Sequence, residues 1–182
     1  MTASPAQPFD PIQGVMTVPL DAFGDERGRF METFRKEWFP QANWDRLQSN
    51  RSDSSAGILR GLHYHFNQVD YWFPVKGVFR VGLVDLRLSS PTYLRSASLD
   101  MGEDNLLGLF IPEGVAHGFA ALTDCTLIYI VNNYYDGGSD EYGIAWNDPG
   151  APIDWGITDP ALSARDSNNP LIADIPPEHQ PR

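Results

Sequence analysis

The spacing of residues within segment 57–77 constrains the fold of this chain more than any other feature. Five residues separate Gly57 from His63, one separates His63 from His65, four lead on to Asp70, and six lead to Gly77. Histidines two positions apart on a β-strand point to the same face of a sheet. If that face is turned inward, both imidazoles enter the interior of a barrel.

Other parts of the chain have the pattern of short β-strands. Segments rich in branched and aromatic residues alternate with turn signals such as Lys76-Gly77 and Asp136-Gly137-Gly138. Helical periodicity is scarce, and only 33–39 could form a helical turn or two before Pro40. We therefore expect an all-β chain with few short helical turns. The predicted strands are 72–75, 78–86, 106–111 and 126–131.

A length of 182 residues is in the range of one domain. We predict a single domain over 1–182, with an N-terminal arm at 1–15 and an irregular wrapping tail at 150–182, where Pro, Asp and Asn replace the β pattern. The last residues, 176–182, are expected to fray.

The charge of the chain limits its partners. With 13 basic and 24 acidic residues, a net charge of -11 disfavours binding to nucleic acid or to an anionic membrane. A few arginines in one cleft can still attract a small anion. The lone Cys125 has no intrachain partner and is expected to be buried, and 1–15 lacks the pattern of a signal peptide, so we expect a cytoplasmic protein.

Two motifs resemble the signatures of the cupins. The segment 57–77 matches the first signature, with Asp70 where Glu is usual, and 112–117 matches the second, Pro-x-Gly-x-x-His, ending at His117. The resemblance implies a cupin-type antiparallel jelly-roll β-barrel.

A longer stretch, about 25–166, resembles the dTDP-4-dehydrorhamnose 3,5-epimerase family, a branch of the cupins that acts on nucleotide sugars without a metal. The resemblance rests on DERGRFME at 25–32, QSNRS at 48–52, LRGLHY at 59–64, VDLR at 84–87, SPT at 90–92, segments 111–119 and 129–135, WNDP at 146–149 and LSARD at 162–166.

The reaction that this resemblance implies is epimerisation beside a ketone. A 4-keto group acidifies the protons on C3 and C5 of a dTDP-4-keto-6-deoxyhexose, a base removes one, and reprotonation from the other face inverts the carbon. By motif position, His63 is the base, Asp166 is the carboxylate that orients it, and Tyr129 is the proton donor.

The family pattern also implies residues that bind the nucleotide-diphosphate sugar, and it implies no cofactor. In this family the segment around Arg27 reaches the site of a neighbouring subunit, so a homodimer is expected by analogy. Arginines suit a pyrophosphate because they are permanently charged, bidentate donors. The implied substrate-binding residues are Arg27, Glu32, Gln48, Asn50, Arg60, His117, Tyr135, Glu141 and Arg165.

At Asp70 the chain departs from the family, which has lysine there. An ionised carboxylate would repel an enolate where a lysine would stabilise one. His63, His65, Asp70 and His117 also correspond to the ligands of metal-binding cupins, and such a set suits one divalent transition metal. His65 could instead bond a neighbour, and Asp70 could pair with His65 or lie at the surface. Two alternatives therefore stay open, a metal-dependent cupin enzyme and a non-catalytic nucleotide-sugar binding protein.

Overall fold

The computed structural model describes residues 4–182, in which nearly all regular structure is β-strand. The expected N-terminal arm therefore lies partly outside the described residues, at positions 1–3. The strands are β1 (Gln7–Pro8), β2 (Met16–Pro19), β3 (Ala22–Asp25), β4 (Gly28–Met31), β5 (Gln48–Ser54), β6 (Leu59–Tyr64), β7 (Asp70–Lys76), β8 (Val78–Asp85), β9 (Ser96–Gly102), β10 (Leu107–Ile111), β11 (Val115–Ala121), β12 (Cys125–Val131) and β13 (Tyr142–Gly143).

Two antiparallel sheets make up the body of the molecule. One has six strands in the order β1-β2-β10-β7-β12-β5, and the other has five in the order β13-β6-β11-β8-β9. Within residues 4–182, strands β3 and β4 pair only with each other, with Phe23 opposite Phe30. The predicted all-β, cupin-type antiparallel jelly roll is confirmed.

The main core lies between the two sheets. Side chains alternate along each strand, so Phe79, Val81 and Leu83 of β8 point inward and meet Leu109 of β10 and Leu127 of β12. All of these are essentially inaccessible to solvent. Cys125 is buried in this core, as expected. Burial of this apolar surface provides most of the drive for folding.

The outer faces of both sheets are also covered. The tail places Trp155 and Ile175 on the outer face of the five-stranded sheet, against residues that include Leu62 and Val84. Segment 34–44 places Phe39 on the outer face of the six-stranded sheet, stacked on Phe110 with ring centroids 4.7 Å apart. Strands β8 and β11 are therefore largely apolar on both faces.

Helical structure in the described part of the chain is limited to short 3-10 turns at Lys36–Trp38, Asp166–Asn168, Ile172–Asp174 and Pro177–His179. The first lies within the predicted segment 33–39. None of the described helical turns has the length or hydropathy that a membrane crossing requires.

The expectation of a frayed end at 176–182 is wrong. The Tyr64 hydroxyl donates a 2.7 Å hydrogen bond to the carbonyl of His179. The amide of Leu88 donates to the carbonyl of Pro181, which is itself buried. Composition indicated an unstructured end, but these backbone carbonyls satisfy donors of the barrel and hold the segment in place.

Candidate active site

A cavity of about 650 Å³ opens between the two sheets. The five-stranded sheet contributes His63 and His117, which lie opposite each other in the pairing of β6 with β11. The six-stranded sheet contributes Tyr129 and Asp70, and the tail contributes Asp166. Ten of the twelve residues implied by the resemblance line this cavity: His63, Tyr129, Asp166, Gln48, Asn50, Arg60, His117, Tyr135, Glu141 and Arg165.

A β-bulge at Gly61 positions two cavity-lining residues of β6. The pairing with β11 shifts register between His63↔His117 and Arg60↔Phe119. A Cβ atom at Gly61, which has a φ of +122°, would lie 2.7 Å from the Cα of Gly118. Only glycine allows so close an approach at that φ. Both Arg60 and His63 consequently reach the cavity.

His63 and Asp166 form a hydrogen-bonded pair. The Nε2 atom of His63 is 2.7 Å from Oδ1 of Asp166, whose other oxygen accepts a 3.2 Å bond from the Gly61 amide. Burial raises the pKa of the Asp166 carboxyl, but these hydrogen bonds outweigh it and leave that pKa below the ordinary 3.8. The ionised carboxylate accepts the Nε2 proton, so the lone pair of neutral His63 is on Nδ1.

A second carboxylate lies beyond the other side of the imidazole. Oε1 of Glu141 is 3.9 Å from Nδ1 of His63, too far for a hydrogen bond, and 2.6 Å from Nη1 of Arg165. Arg165 therefore holds Glu141 beside His63 without blocking the Nδ1 lone pair.

Tyr129 lies on the wall opposite His63, where it is paired in register with Asn50 and Trp72. Burial raises the pKa of its phenol above the ordinary 10.0, and the charges of Asp70 and Glu141 raise it further. The side chain is therefore a protonated phenol at neutral pH. It has the chemistry of a proton donor.

The other implied nucleotide-binding residues form the polar rim of the cavity. Gln48 donates to Asn50 at 2.8 Å and accepts from the amide of Tyr135, a residue that is 70% exposed. Arg60 donates to the Ser54 hydroxyl at 2.9 Å. An exposed aromatic residue and an arginine that line the same cavity suit a nucleobase and a phosphate.

The remaining two implied residues, Arg27 and Glu32, do not line this cavity. Arg27 lies at the turn between β3 and β4, with a side chain 85% exposed, where it pairs with Asp25. Glu32 pairs with Arg35 at 2.7 Å. Within one subunit, neither side chain lies among the cavity residues.

The alternative metal-ligand set is only partly brought together. His65, Asp70 and His117 offer ligand atoms within 4.8 Å of one another, but His63 is not one of this group. Asp70 is 3% exposed, so its interpretation as a surface residue is wrong. Its carboxylate accepts hydrogen bonds of 2.9 Å from Gln68 and from the Trp72 indole. Burial lowers the pKa of His117 to about 4.

Sequence reasoning missed two residues of the site. Asp140 caps the backbone amides of Phe66 and Asn67 with its carboxylate, and its carbonyl accepts from His65 at 2.6 Å. Trp72, predicted only as part of the strand 72–75, lines the cavity and donates a hydrogen bond to Asp70. The position of Trp72 next to Asp70 along the inward face of β7 was the available signal, whereas Asp140 in a loop offered none.

Comparison with known proteins agrees with this geometry. The sequence model described as dTDP-4-dehydrorhamnose 3,5-epimerase matches residues 10–174. An enzyme of that name from Shigella flexneri is 38% identical over 171 residues, which is 90% of this chain and 93% of the relative.

Solved structures extend the similarity to the whole fold. The rmlC epimerase of Mycobacterium tuberculosis superposes with a TM-score of 0.90 at 32% identity, covering 97% of this chain and 93% of that one. The Legionella pneumophila enzyme, solved in complex with dTDP-4-keto-L-rhamnose, gives 0.85 at 31% identity, covering 92% and 93%. Sequence and structure agree, and the chain belongs to the dTDP-4-dehydrorhamnose 3,5-epimerase family.

Proposed function

We propose that this protein epimerises a dTDP-4-keto-6-deoxyhexose at C3, C5 or both. One observation carries the proposal: the His63–Asp166 pair and the Tyr129 phenol face one cavity from opposite sheets. Inversion at a carbon requires a base on one side of the sugar ring and an acid on the other. Relatives with solved ligands support the substrate class, because the Legionella enzyme binds dTDP-4-keto-L-rhamnose.

The hydrogen bond to Asp166 assigns the roles of the two nitrogens of His63. Nδ1 accepts the proton from the carbon beside the ketone, and the ring becomes an imidazolium whose Nε2–H remains bonded to Asp166. The buried carboxylate stabilises this cation. The electron pair of the broken C–H bond moves into the enolate, and Tyr129 then donates its proton to the opposite face of the carbon. General acid–base catalysis of this kind contributes about 10²–10⁴-fold to a rate.

In this proposal, the polar residues at the rim of the cavity bind the nucleotide. The chain carries a net charge of -11, yet Arg60 and Arg165 both line the cavity. At short range these guanidinium groups outweigh the diffuse negative field and suit the pyrophosphate. The exposed ring of Tyr135 suits the base.

We also infer a cytoplasmic homodimer. Phe23 and Phe30 are 68% and 73% exposed, although they lie opposite each other on one hairpin. Exposed paired aromatics favour a protein partner, and a second copy would bring Arg27 to its cavity as the family pattern implies. The buried, unpaired Cys125 is consistent with a reducing compartment.

The proposal is tested by hydrogen exchange at carbon. Purified, tag-free protein is incubated in heavy water with dTDP-4-keto-6-deoxyglucose, and deuterium at C3 and C5 is followed by NMR. We expect incorporation at one or both carbons, together with an inverted product. Tight binding of dTDP without exchange would contradict the proposal and indicate a binding protein.

Two variants locate the base. His63→Asn should slow exchange by about 10²–10⁴-fold while retaining dTDP binding. His179→Asn is the matched control because His179 lies outside the cavity, with its ring against Tyr142. Exchange at the wild-type rate in His63→Asn would overturn the assignment.

A further inference from the structure

Hydrogen bonds to a single residue join the turn after β6 to the loop between β12 and β13. The carboxylate of Asp140 accepts from two successive amides of the turn, at 2.9 Å from Phe66 and 2.8 Å from Asn67. The backbone carbonyl of Asp140 accepts a third bond, at 2.6 Å, from Nδ1 of His65. A carbonyl only accepts, so this nitrogen carries the proton. Asp140 is therefore fixed on the turn by both its side chain and its backbone.

The other end of this loop is bound to the same turn. Asn132, which directly follows β12, accepts a 2.8 Å hydrogen bond from the amide of Val69 through its side-chain oxygen. Between the two anchors, residues 134–137 are exposed and Tyr135 lines the cavity. The turn 65–69 thus holds both ends of a loop that carries part of the nucleotide-binding rim.

Asp140 directly precedes Glu141, which holds the guanidinium group of Arg165 at two points. Oε1 of Glu141 is 2.6 Å from Nη1 of Arg165, and the backbone carbonyl of Glu141 accepts a 3.4 Å bond from Nη2. A free arginine side chain has many rotamers, and these two bonds select among them. Any displacement of the Glu141 backbone would move both acceptors together and redirect Arg165.

We propose that Asp140 is a positioning residue for substrate binding. Its bonds to turn 65–67 fix the backbone of Glu141, which in turn directs the guanidinium group of Arg165 into the cavity. The inference deepens the proposed function, because it rests on Arg165 as a donor to the pyrophosphate of the nucleotide sugar. A carboxylate repels a pyrophosphate, so Asp140 acts through Arg165 and not by binding the substrate itself.

The test measures dTDP affinity by isothermal titration calorimetry, which requires no turnover. Asp140→Ala removes the acceptor of both amides and should raise the Kd for dTDP by about tenfold, because a displaced Arg165 loses part of a charge-assisted contact. With dTDP-4-keto-6-deoxyglucose, KM should rise by a similar factor while kcat stays near the wild-type value, the pattern expected for lost uniform binding. An unchanged Kd in the folded variant would overturn the proposal.

A double-mutant cycle tests whether Asp140 acts through Arg165. Arg165→Ala should itself weaken dTDP binding by about tenfold or more. Adding Asp140→Ala should then cause no further loss, because the group that Asp140 positions is absent. Losses that multiply would show that Asp140 affects binding by another route, and the proposal would be wrong. If circular dichroism shows Asp140→Ala to be unfolded, Asp140→Asn, which keeps one acceptor oxygen, replaces it in the cycle.

Asp124→Ala is the matched control. Oδ1 of Asp124 accepts a 2.9 Å bond from the distant amide of Ala56, so this aspartate also joins two segments of the chain, but it does not line the cavity. The control should lower the Tm and leave the Kd for dTDP and KM unchanged. An equal rise of the Kd in the control would attribute the effect to lost stability and overturn the proposal.

The two proposals can fail separately. Weaker dTDP binding in Asp140→Ala, together with no heavy-water exchange in the wild type, would support the positioning role and refute the epimerase assignment alone. Exchange in the wild type, together with unchanged dTDP affinity in Asp140→Ala, would leave the epimerase assignment in place and refute the positioning role alone.

Discussion

At the scale of single residues, the two walls of the cavity have separable tasks. Removal of the Tyr129 hydroxyl eliminates the proposed acid but leaves the base intact. We expect Tyr129→Phe to form the inverted product about 10²–10⁴-fold more slowly. Deuterium should still enter the substrate with retained configuration, because His63 can return a deuteron to the face from which it took the proton. NMR measures both the uptake of deuterium and the formation of inverted product. If Tyr129→Phe lowered both rates equally, the separate roles of His63 and Tyr129 would be contradicted.

The pH dependence of Tyr129 follows from its surroundings. Burial and neighbouring carboxylates raise the pKa of the phenol above 10.0, so the donor form persists through neutral and mildly alkaline pH. The midpoint of any loss of product formation through ionisation of this group should therefore lie above pH 10.0. A pH profile of the inverted product, recorded with stability controls, measures this. A midpoint below pH 10.0 for the loss of product formation that depends on Tyr129 would contradict this expectation.

The residues of the site differ in how far sequence could predict them. His63, His117 and Tyr129 follow from motif positions on strands, where alternation determines which side chains point inward. The partners of His65 and His117 are the carbonyls of Asp140 and Val115. Every residue has a carbonyl, so such partners leave no signature in composition or spacing.

At the scale of elements, the predicted strands coincide with observed strands, whereas the frayed end predicted at 176–182 does not match the structure. The predicted segments 72–75 and 126–131 fall within strands, and 78–86 and 106–111 overrun theirs by one residue. Branched and aromatic residues between turn signals suit a sheet with both faces covered. The tail lacks such periodicity. Its few apolar residues, including Trp155 and Ile175, nevertheless cover the five-stranded sheet. Isolated apolar residues of this kind can be recognised as packing residues only once the sheet surface that they cover is known.

The corner after β8 depends on one buried carboxylate. Asp85 accepts bonds of 2.6–2.8 Å from Arg87, Ser90 and Thr92 and is fully buried. Asp85→Asn leaves the Arg87 charge without its partner, so we expect about 3–5 kcal/mol less stability in urea unfolding. Asp154→Asn, which removes an exposed partner of Arg80, is the matched control and should change stability by about 0.5 kcal/mol or less.

The contribution of Asp85 also depends on pH. Burial raises the pKa of this carboxyl, but its hydrogen bonds outweigh burial and leave the pKa below 3.8. The stabilisation is therefore present above the pKa of the unfolded carboxyl and is lost as the pH falls through the lower folded value. The stability gap between wild type and Asp85→Asn should narrow below pH 3.8. A gap that is constant with pH would contradict this account.

At the scale of the whole molecule, the exposed β3–β4 hairpin is the expected contact with a second copy. Replacement of both exposed rings, Phe23→Ser with Phe30→Ser, should shift the protein from dimer towards monomer in light scattering over a dilution series. Leu171→Ser is the control, because Leu171 is 40% exposed and lies outside the hairpin. A stable dimer in the double variant would exclude the hairpin as the main contact.

If the hairpin of one subunit completes the cavity of the other, Arg27 acts across the dimer. Arg27→Ala and His63→Asn should each be weak epimerases as homodimers, the first through substrate binding and the second through proton transfer. In a mixed dimer, one cavity combines the wild-type His63 of one subunit with the wild-type Arg27 of its partner. Unfolding and refolding an equal mixture should therefore restore about a quarter of the wild-type activity. Refolded single variants are the controls. No recovery in the mixture, with mixed dimers verified by mass spectrometry, would place Arg27 outside the partner's site.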